Sequence, residues 1–170
     1  LMEFKSAGTT PLFTNVYEDL ERAQAYSRLE FPNTYYLAYR DLPQIISGRA
    51  RGKTALDFGC GTGRSTRFLK KHGFDAIGVD ISEEMVKLAA TKDIGGNYRV
   101  IKNNLFKHLK PAAYDLILAV FTFDNIPDER QKAGILENFF KLLKKDGRVV
   151  IVVSSPEIYK HEWASFSTRH

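Results

Sequence analysis

A single cysteine, Cys60, in 170 residues leaves no partner for an internal disulfide and too few thiols for a cysteine-rich zinc site. The four histidines, His72, His108, His161 and His170, show no metal-ligand spacing, so no metal is expected. No apolar run approaches the roughly 20 residues that span a bilayer. The N-terminus has no basic stretch leading into an apolar one, so no secretory leader is read there. A cytoplasmic chain with no membrane contact is the expectation. Repeats, low-complexity tracts and linkers are also missing. That leaves one domain over 1–170: an N-terminal helical cap (1–50), an alternating core (51–155) and a C-terminal helix or tail (156–170).

Charge of one sign does not dominate either: 25 Lys and Arg against 20 Asp and Glu give +5. Basic residues gather at 49–53 and 141–148, where the chain leads into strands. They read as solvated punctuation, not as the dense stripe that nucleic acid requires.

The residues present follow a pattern. Phe13, Val16, Tyr17, Leu20 and Ala23 give 12–28 one apolar helical face. A second helix is expected over 34–47, broken or kinked at Pro43. From Lys53 onward, apolar strands (53–58, 74–80, 97–102, 114–121 and 148–154) alternate with helices. Ser82 reads as an N-cap, and Pro127 as a first-turn residue of the helix that follows. Ile135, Leu136, Phe139, Phe140, Leu142 and Leu143 are expected to form that helix's buried face. Strands apolar on both faces, alternating with amphipathic helices, imply an α/β fold with a doubly wound, mainly parallel sheet. Its ligand site belongs at the carboxyl ends of the strands.

Residues 55–66, ALDFGCGTGRST, run from strand through glycine loop to helix. Gly59, Gly61 and Gly63 allow a sharp turn and close approach of a ligand. The loop N–H groups and the helix N-terminus are expected to face it. A dinucleotide site would need G-x-G-x-x-G, but Arg64 or Thr66 stands where the third glycine belongs, depending on the start. Asp57, two residues before the first glycine, adds negative charge. That suits a ligand carrying an ammonium and a sulfonium better than a pyrophosphate.

At this point the sequence resembles the class I S-adenosylmethionine (SAM)-dependent methyltransferases. The resemblance rests on LDFGCGTGRS (56–65), GVDIS (78–82), YDLILAVF (114–121) and LLKKDGRVVIVV (142–153). It implies a Rossmann-like methyltransferase fold, SAM as cofactor and S-adenosylhomocysteine as product. It also implies roles by position. Asp57 and the Gly59–Cys60–Gly61 backbone would hold the methionine portion, and Asp80 would accept both ribose hydroxyls. Ile81 and Met85 would pack on the adenine, whose edge Asn104 and Leu105 would bound, although the family often carries an acid near Asn104. Phe121 would offer backbone to the methionine amino group, and Arg40 would reach a carboxylate of SAM or of the acceptor. Cys60 has no histidine partner and reads as loop packing, not as a nucleophile.

Methyl transfer from a sulfonium needs alignment more than a dedicated catalytic residue. Asp124 is the one candidate base, with capping of the helix at Pro127 as its structural alternative. The N-terminal cap, with Tyr26, Tyr35, Tyr36, Tyr39 and Arg40, is the expected acceptor side. A small-molecule methyltransferase acting on an O, N or C nucleophile ranks first. An RNA or protein methyltransferase ranks next, then a SAM-binding domain without activity, with a nicotinamide oxidoreductase last. The family's final β-hairpin finds no room in 155–170. The fifth strand is then expected to be a sheet edge, which a homodimer would cover.

Overall fold

The computed structural model describes residues 34–48, 50–102 and 106–160, excluding the side chains of Thr34, Ile158 and Tyr159. The expected helix at 12–28, Tyr26, and the pair Asn104–Leu105 lie outside these residues. Five strands form one sheet: β1 (Thr54–Phe58), β2 (Asp75–Asp80), β3 (Asn97–Val100), β4 (Tyr114–Val120) and β5 (Leu143–Val152). Their order is β3-β2-β1-β4-β5, and every pairing is parallel. The helices are α1 (Thr34–Arg40), α2 (Leu42–Ser47), α3 (Arg64–Lys71), α4 (Glu83–Lys92) and α5 (Glu129–Leu142). The doubly wound α/β expectation holds, and β1 sits where the strand order reverses, the usual ligand position in such sheets. No helix among the described residues is long and apolar enough to cross a membrane.

Strand alternation sorts the core into two layers. Leu56 and Phe58 of β1, with Ile117 and Ala119 of β4, face Phe139 and Leu142 of α5. Ala55 of β1, with Leu116 and Leu118 of β4, faces Tyr39, Leu42, Ile46 and Leu69 on the side of α1, α2 and α3. Asp57 shares a face with Ala55, so alternation drives a carboxylate into the second layer.

Local chemistry sets the helix starts. Pro43 begins α2 within its first turn, so the expected 34–47 helix is two helices meeting at Asp41. Ser82 caps α4, its hydroxyl accepting from Met85 N, with Glu83 and Glu84 in the first turn. Asp128 caps α5 by accepting from Arg130 N, which leaves Pro127 ahead of the cap and Asp124 no part in it. On α5 the apolar residues split: Ile135, Phe139 and Leu142 are buried, but Leu136 is 44% and Phe140 81% exposed. The expected single buried face is narrower, because the residues following Ile135 and Phe139 lie about 100° round the helix.

β5 starts five residues earlier than expected. Leu143 pairs with Tyr114 and Arg148 with Leu116, so β5 advances five positions while β4 advances two. The extra residues let Lys144 turn back: its Nζ donates to Asp115 Oδ2 at 2.8 Å and to Thr54 Oγ1 at 3.0 Å. Thr54 also donates to Asp115 through its N–H and its hydroxyl. Burial pushes the Asp115 carboxyl up, but the Lys144 and Thr54 donors outweigh it and hold the group at about 2. A folded value below the unfolded one, about 3.9, stabilises the protein above pH 4, and that stability is lost as pH falls towards 2. Asp115→Asn will lower stability by about 1–2 kcal/mol at pH 7 and flatten the acid limb of a denaturant-midpoint profile.

Candidate functional site

Three alternate residues of the loop are glycines with positive φ: Gly59 at 71°, Gly61 at 52° and Gly63 at 80°. They fold the chain back over the ends of β1 and β2. Gly59 N and Cys60 N both donate to Val79 O, at 2.8 and 3.0 Å. Gly63 N donates to Cys60 O at 2.9 Å, and Gly61 N to Asp80 Oδ2 at 2.8 Å. These four N–H groups are consumed inside the protein, contrary to the expectation that the loop aims them at a ligand. The reason is local: the loop crosses the end of β2 closely enough to take β2's last acceptors.

What the loop offers instead is negative charge. Asp57 is fully buried. Its Oδ2 accepts from Ser65 Oγ at 2.6 Å and from Thr66 Oγ1, both in the first turn of α3. Its Oδ1 has no hydrogen-bond partner among the described residues. Burial, and beyond it the neighbouring Asp80 charge, raise the Asp57 carboxyl to about 6 against the Ser65 and Thr66 donors. Asp80 accepts from Ser82 N through Oδ1 at 2.9 Å. Burial raises it too, against the Ser82, Gly61 and Ile81 N–H groups. Each Asp80 oxygen keeps a second lone pair for a hydroxyl.

The end of β4 completes the site. Phe121 adopts φ 58°, the left-handed region that a bulky residue rarely enters, and turns the chain out of the sheet. Its N–H donates to Val152 O, and its carbonyl already accepts from Asn125 Nδ2 at 2.8 Å. Thr122 Oγ1 donates to Phe58 O, joining the ends of β4 and β1. The Tyr35 ring stands edge-on to Phe121 at 5.8 Å, and the Arg64 guanidinium lies 4.1 Å over the same ring. Tyr39 is buried, and its hydroxyl is hydrogen-bonded to Ser65 beside Asp57. Burial, then Asp57, raise that phenol.

Of the residues singled out from sequence, Asp57, Gly59, Cys60, Gly61, Asp80 and Phe121 converge on the ends of β1, β2 and β4. Ile81 is 40% exposed beside them. Met85 is only 2% exposed, so it anchors α4 in the core and has almost no surface for an adenine. Cys60 is buried, and burial followed by the Asp57 and Asp80 charges holds its thiol well above the ordinary value. Such a thiol is inert. Arg40 forms a bidentate pair with its exposed neighbour Asp41 at 2.9 Å. Asp124 accepts from Ser154 N and Ser154 Oγ, fastening the end of β5 to the turn after β4. Ser65, Thr66 and Thr122 were missed as site residues. Hydroxyls eight and nine residues after a strand acid, in a helix's first turn, were the readable signal for the first two.

The sequence matches the methyltransferase-domain family over residues 32–169. The chain belongs to that family. An uncharacterized methyltransferase of Geobacillus sp. (strain WCH70) is 30% identical over 113 residues, covering 66% of this chain and 52% of the relative. The chain spans about half the length of the curated methyltransferases it matches. Among solved structures, a TehB-like SAM-dependent methyltransferase of Corynebacterium glutamicum superposes with a TM-score of 0.60 at 23% identity, covering 78% of this chain and 73% of that one. Phosphoethanolamine N-methyltransferase 1 of Haemonchus contortus, solved with phosphoethanolamine and S-adenosylhomocysteine, gives 0.62 at 18% identity, covering 88% and 34%. At these identities the two structures speak for the methyltransferase fold.

Donor chemistry can be tested against the methyltransferase loop itself. A pyrophosphate needs free N–H donors and meets instead two carboxylates and a loop whose Gly59, Cys60, Gly61 and Gly63 N–H groups are already engaged. An ammonium finds a buried, unpartnered oxygen on Asp57. The residues present fit SAM.

Proposed function

We propose that the chain binds SAM across the ends of β1 and β2 and directs its methyl group to a small-molecule acceptor at an O, N or C nucleophile. The observation that carries this reading is the unpartnered Asp57 Oδ1, a buried acceptor waiting for a cation. When bound, SAM supplies a methyl already activated by the sulfonium charge. The protein's part is to bind, orient and exclude water. Asp57 faces the donor's ammonium, and Asp80 accepts the two ribose hydroxyls while bracing Gly61. Ile81 offers its exposed side chain to the adenine. The Tyr35–Phe121 wall closes the acceptor side over the β4 end. Asp124 is tied to Ser154 and is not assigned a proton-transfer role. That this fold accommodates a small acceptor is supported, at the level of fold alone, by the phosphoethanolamine held by the Haemonchus enzyme.

The test is a calorimetric SAM titration between pH 5 and 7. A cation beside Asp57 favours the ionised carboxylate, so with a free-protein value of about 6 binding displaces a proton below that pH. Affinity is expected to fall about tenfold from pH 7 to pH 5, following the ionised fraction of Asp57. Asp57→Asn will flatten this profile. A profile in the wild type that rises toward acid would remove Asp57 from the donor site. The ligand-free protein carries the opposite sign: a raised folded value makes this carboxylate's contribution decline as pH rises from about 4 to about 6.

A further inference from the structure

A groove of about 480 Å³ runs between α1 and the outer face of α3, within the size range of small-ligand sites. Arg64, Arg67, Phe68 and Lys71 line one wall, at helical spacings i, i+3, i+4 and i+7 that put them on one stripe of α3. Tyr36 and Tyr39 of α1 line the other. Arg40 is also in the lining, but Asp41 neutralises it. Arg67 and Lys71 are held differently. Arg67 is half-buried and fixed by donating from Nη1 to Thr62 O at 2.9 Å. Asp93, whose carboxyl is held down first by Lys70 and in smaller part by the Arg67 charge, is bridged on both oxygens by Lys70 Nζ at 2.8 Å. Lys71 is exposed and makes no ion pair among the described residues. Arg64 is fixed over the Tyr35 ring at the loop end of the groove. A fixed guanidinium beside an ammonium is the chemistry that recognises phosphate, and fixing it beforehand lowers the entropy lost on binding.

The groove also has a direction. Its upper end is Arg64 and Tyr39, one residue and one hydrogen bond from the Asp57 network. Its lower end is Lys71, seven residues or about 10 Å along α3. Half-buried Phe68 and Tyr36, which is 56% exposed, supply aromatic surface between the two ends. We propose that this groove holds the phosphate group of a small aromatic acceptor, seated between Arg67 and Lys71, with its nucleophile carried back toward Arg64 and the donor. This rests on the methyltransferase reading of the neighbouring site and names the acceptor class it would serve.

The test uses the full chain and phenyl phosphate as probe, with phenol as the uncharged control and SAM titrated into the same preparations. Saturable binding of phenyl phosphate, none of phenol, and a loss of at least tenfold in Arg67→Gln/Lys71→Gln with SAM affinity unchanged within twofold is the expected result. Thermal unfolding shows that the double variant is folded, and Lys71→Gln alone, which leaves the Arg67 bond to Thr62 O of the donor loop intact, is expected to lose phenyl phosphate affinity at least threefold with SAM affinity unchanged; no loss in Lys71→Gln overturns the groove. Arg67→Lys, which keeps the charge but not the fork, is expected to fall between the wild type and the double variant. Phenyl phosphate binding that is absent while SAM binds, or that is equal in both proteins, overturns the groove. So does a single-stranded RNA oligonucleotide that binds a hundredfold tighter than phenyl phosphate with steep salt dependence, which would make the groove a backbone track. Failure of SAM to bind the wild type overturns the donor reading instead, and the phosphate arm still decides the groove.

Discussion

Asp80→Ala will weaken SAM binding by at least a hundredfold while leaving the protein folded. The carboxylate has two duties in one place. One oxygen fixes Gly61 N and the other fixes Ser82 N, so Asp80 shapes both the loop after β1 and the entry to α4. In the proposed complex the same two oxygens accept the ribose hydroxyls. Hydrogen bonds to a charged acceptor are worth about 1.5–3 kcal/mol each, and a hundredfold loss is about 2.7 kcal/mol, so the removal of one such bond nearly reaches the threshold. Asp80→Asn keeps one acceptor oxygen and is expected to lose less. Calorimetric titration gives the affinities. Thermal unfolding separates them from a stability loss, which will be about 1–3 kcal/mol because Gly61 N and Ser82 N lose their partner. A variant that binds SAM like the wild type would place the ribose elsewhere.

Gly59→Ala will destabilise the protein by about 2–4 kcal/mol. Two costs combine at this position. The backbone holds φ 71°, where a residue with a Cβ costs about 1 kcal/mol more than glycine. The added Cβ would also overlap the Thr122 side chain, which cannot withdraw because Oγ1 donates to Phe58 O. Overpacking of this kind costs about 1–3 kcal/mol. Thr122→Ala removes two of the three clashing atoms, so the double variant is expected to recover about half of the loss in urea denaturation. No recovery would mean that backbone strain, not the Thr122 contact, requires the glycine. Gly95 provides the comparison: it also has positive φ, at 81°, but open space where its Cβ would go, so Gly95→Ala isolates the backbone cost.

Much of the fold was legible because it depends on periodicity and spacing. Runs such as ALDF and DLILAV are apolar on both faces, and only a sheet covered on both sides uses them that way. Ser82 before two glutamates marked the start of α4, and Asp80 at the end of β2 was placed by its motif. What sequence did not reveal was where polar groups spend their hydrogen bonds. Four of the loop's N–H groups look available in the sequence, but they are satisfied by Val79 O, Cys60 O and Asp80, which no spacing rule displays. Asp124 looked like a base or a cap, and Ser154, thirty residues on, takes it. Arg40 looked poised for a ligand, but its adjacent aspartate is the nearer anion. Tyr39 lies on the expected acceptor side, and its burial beside Ser65 also ties the helical cap to the Asp57 network, a link that no spacing displays. The early start of β5 rests on Lys144 reaching Asp115 and Thr54, a long-range pair that local turn signals at Asp146-Gly147 disguised.

The most direct measurement is titration of the wild-type chain at pH 7 with SAM and, separately, with NADH. Saturable binding of SAM and none of NADH is expected, because the site presents two carboxylates and has no spare N–H groups for a pyrophosphate at Gly59, Cys60, Gly61 or Gly63. NADH binding with no SAM binding would contradict it, and the electronegative loop would then need another explanation.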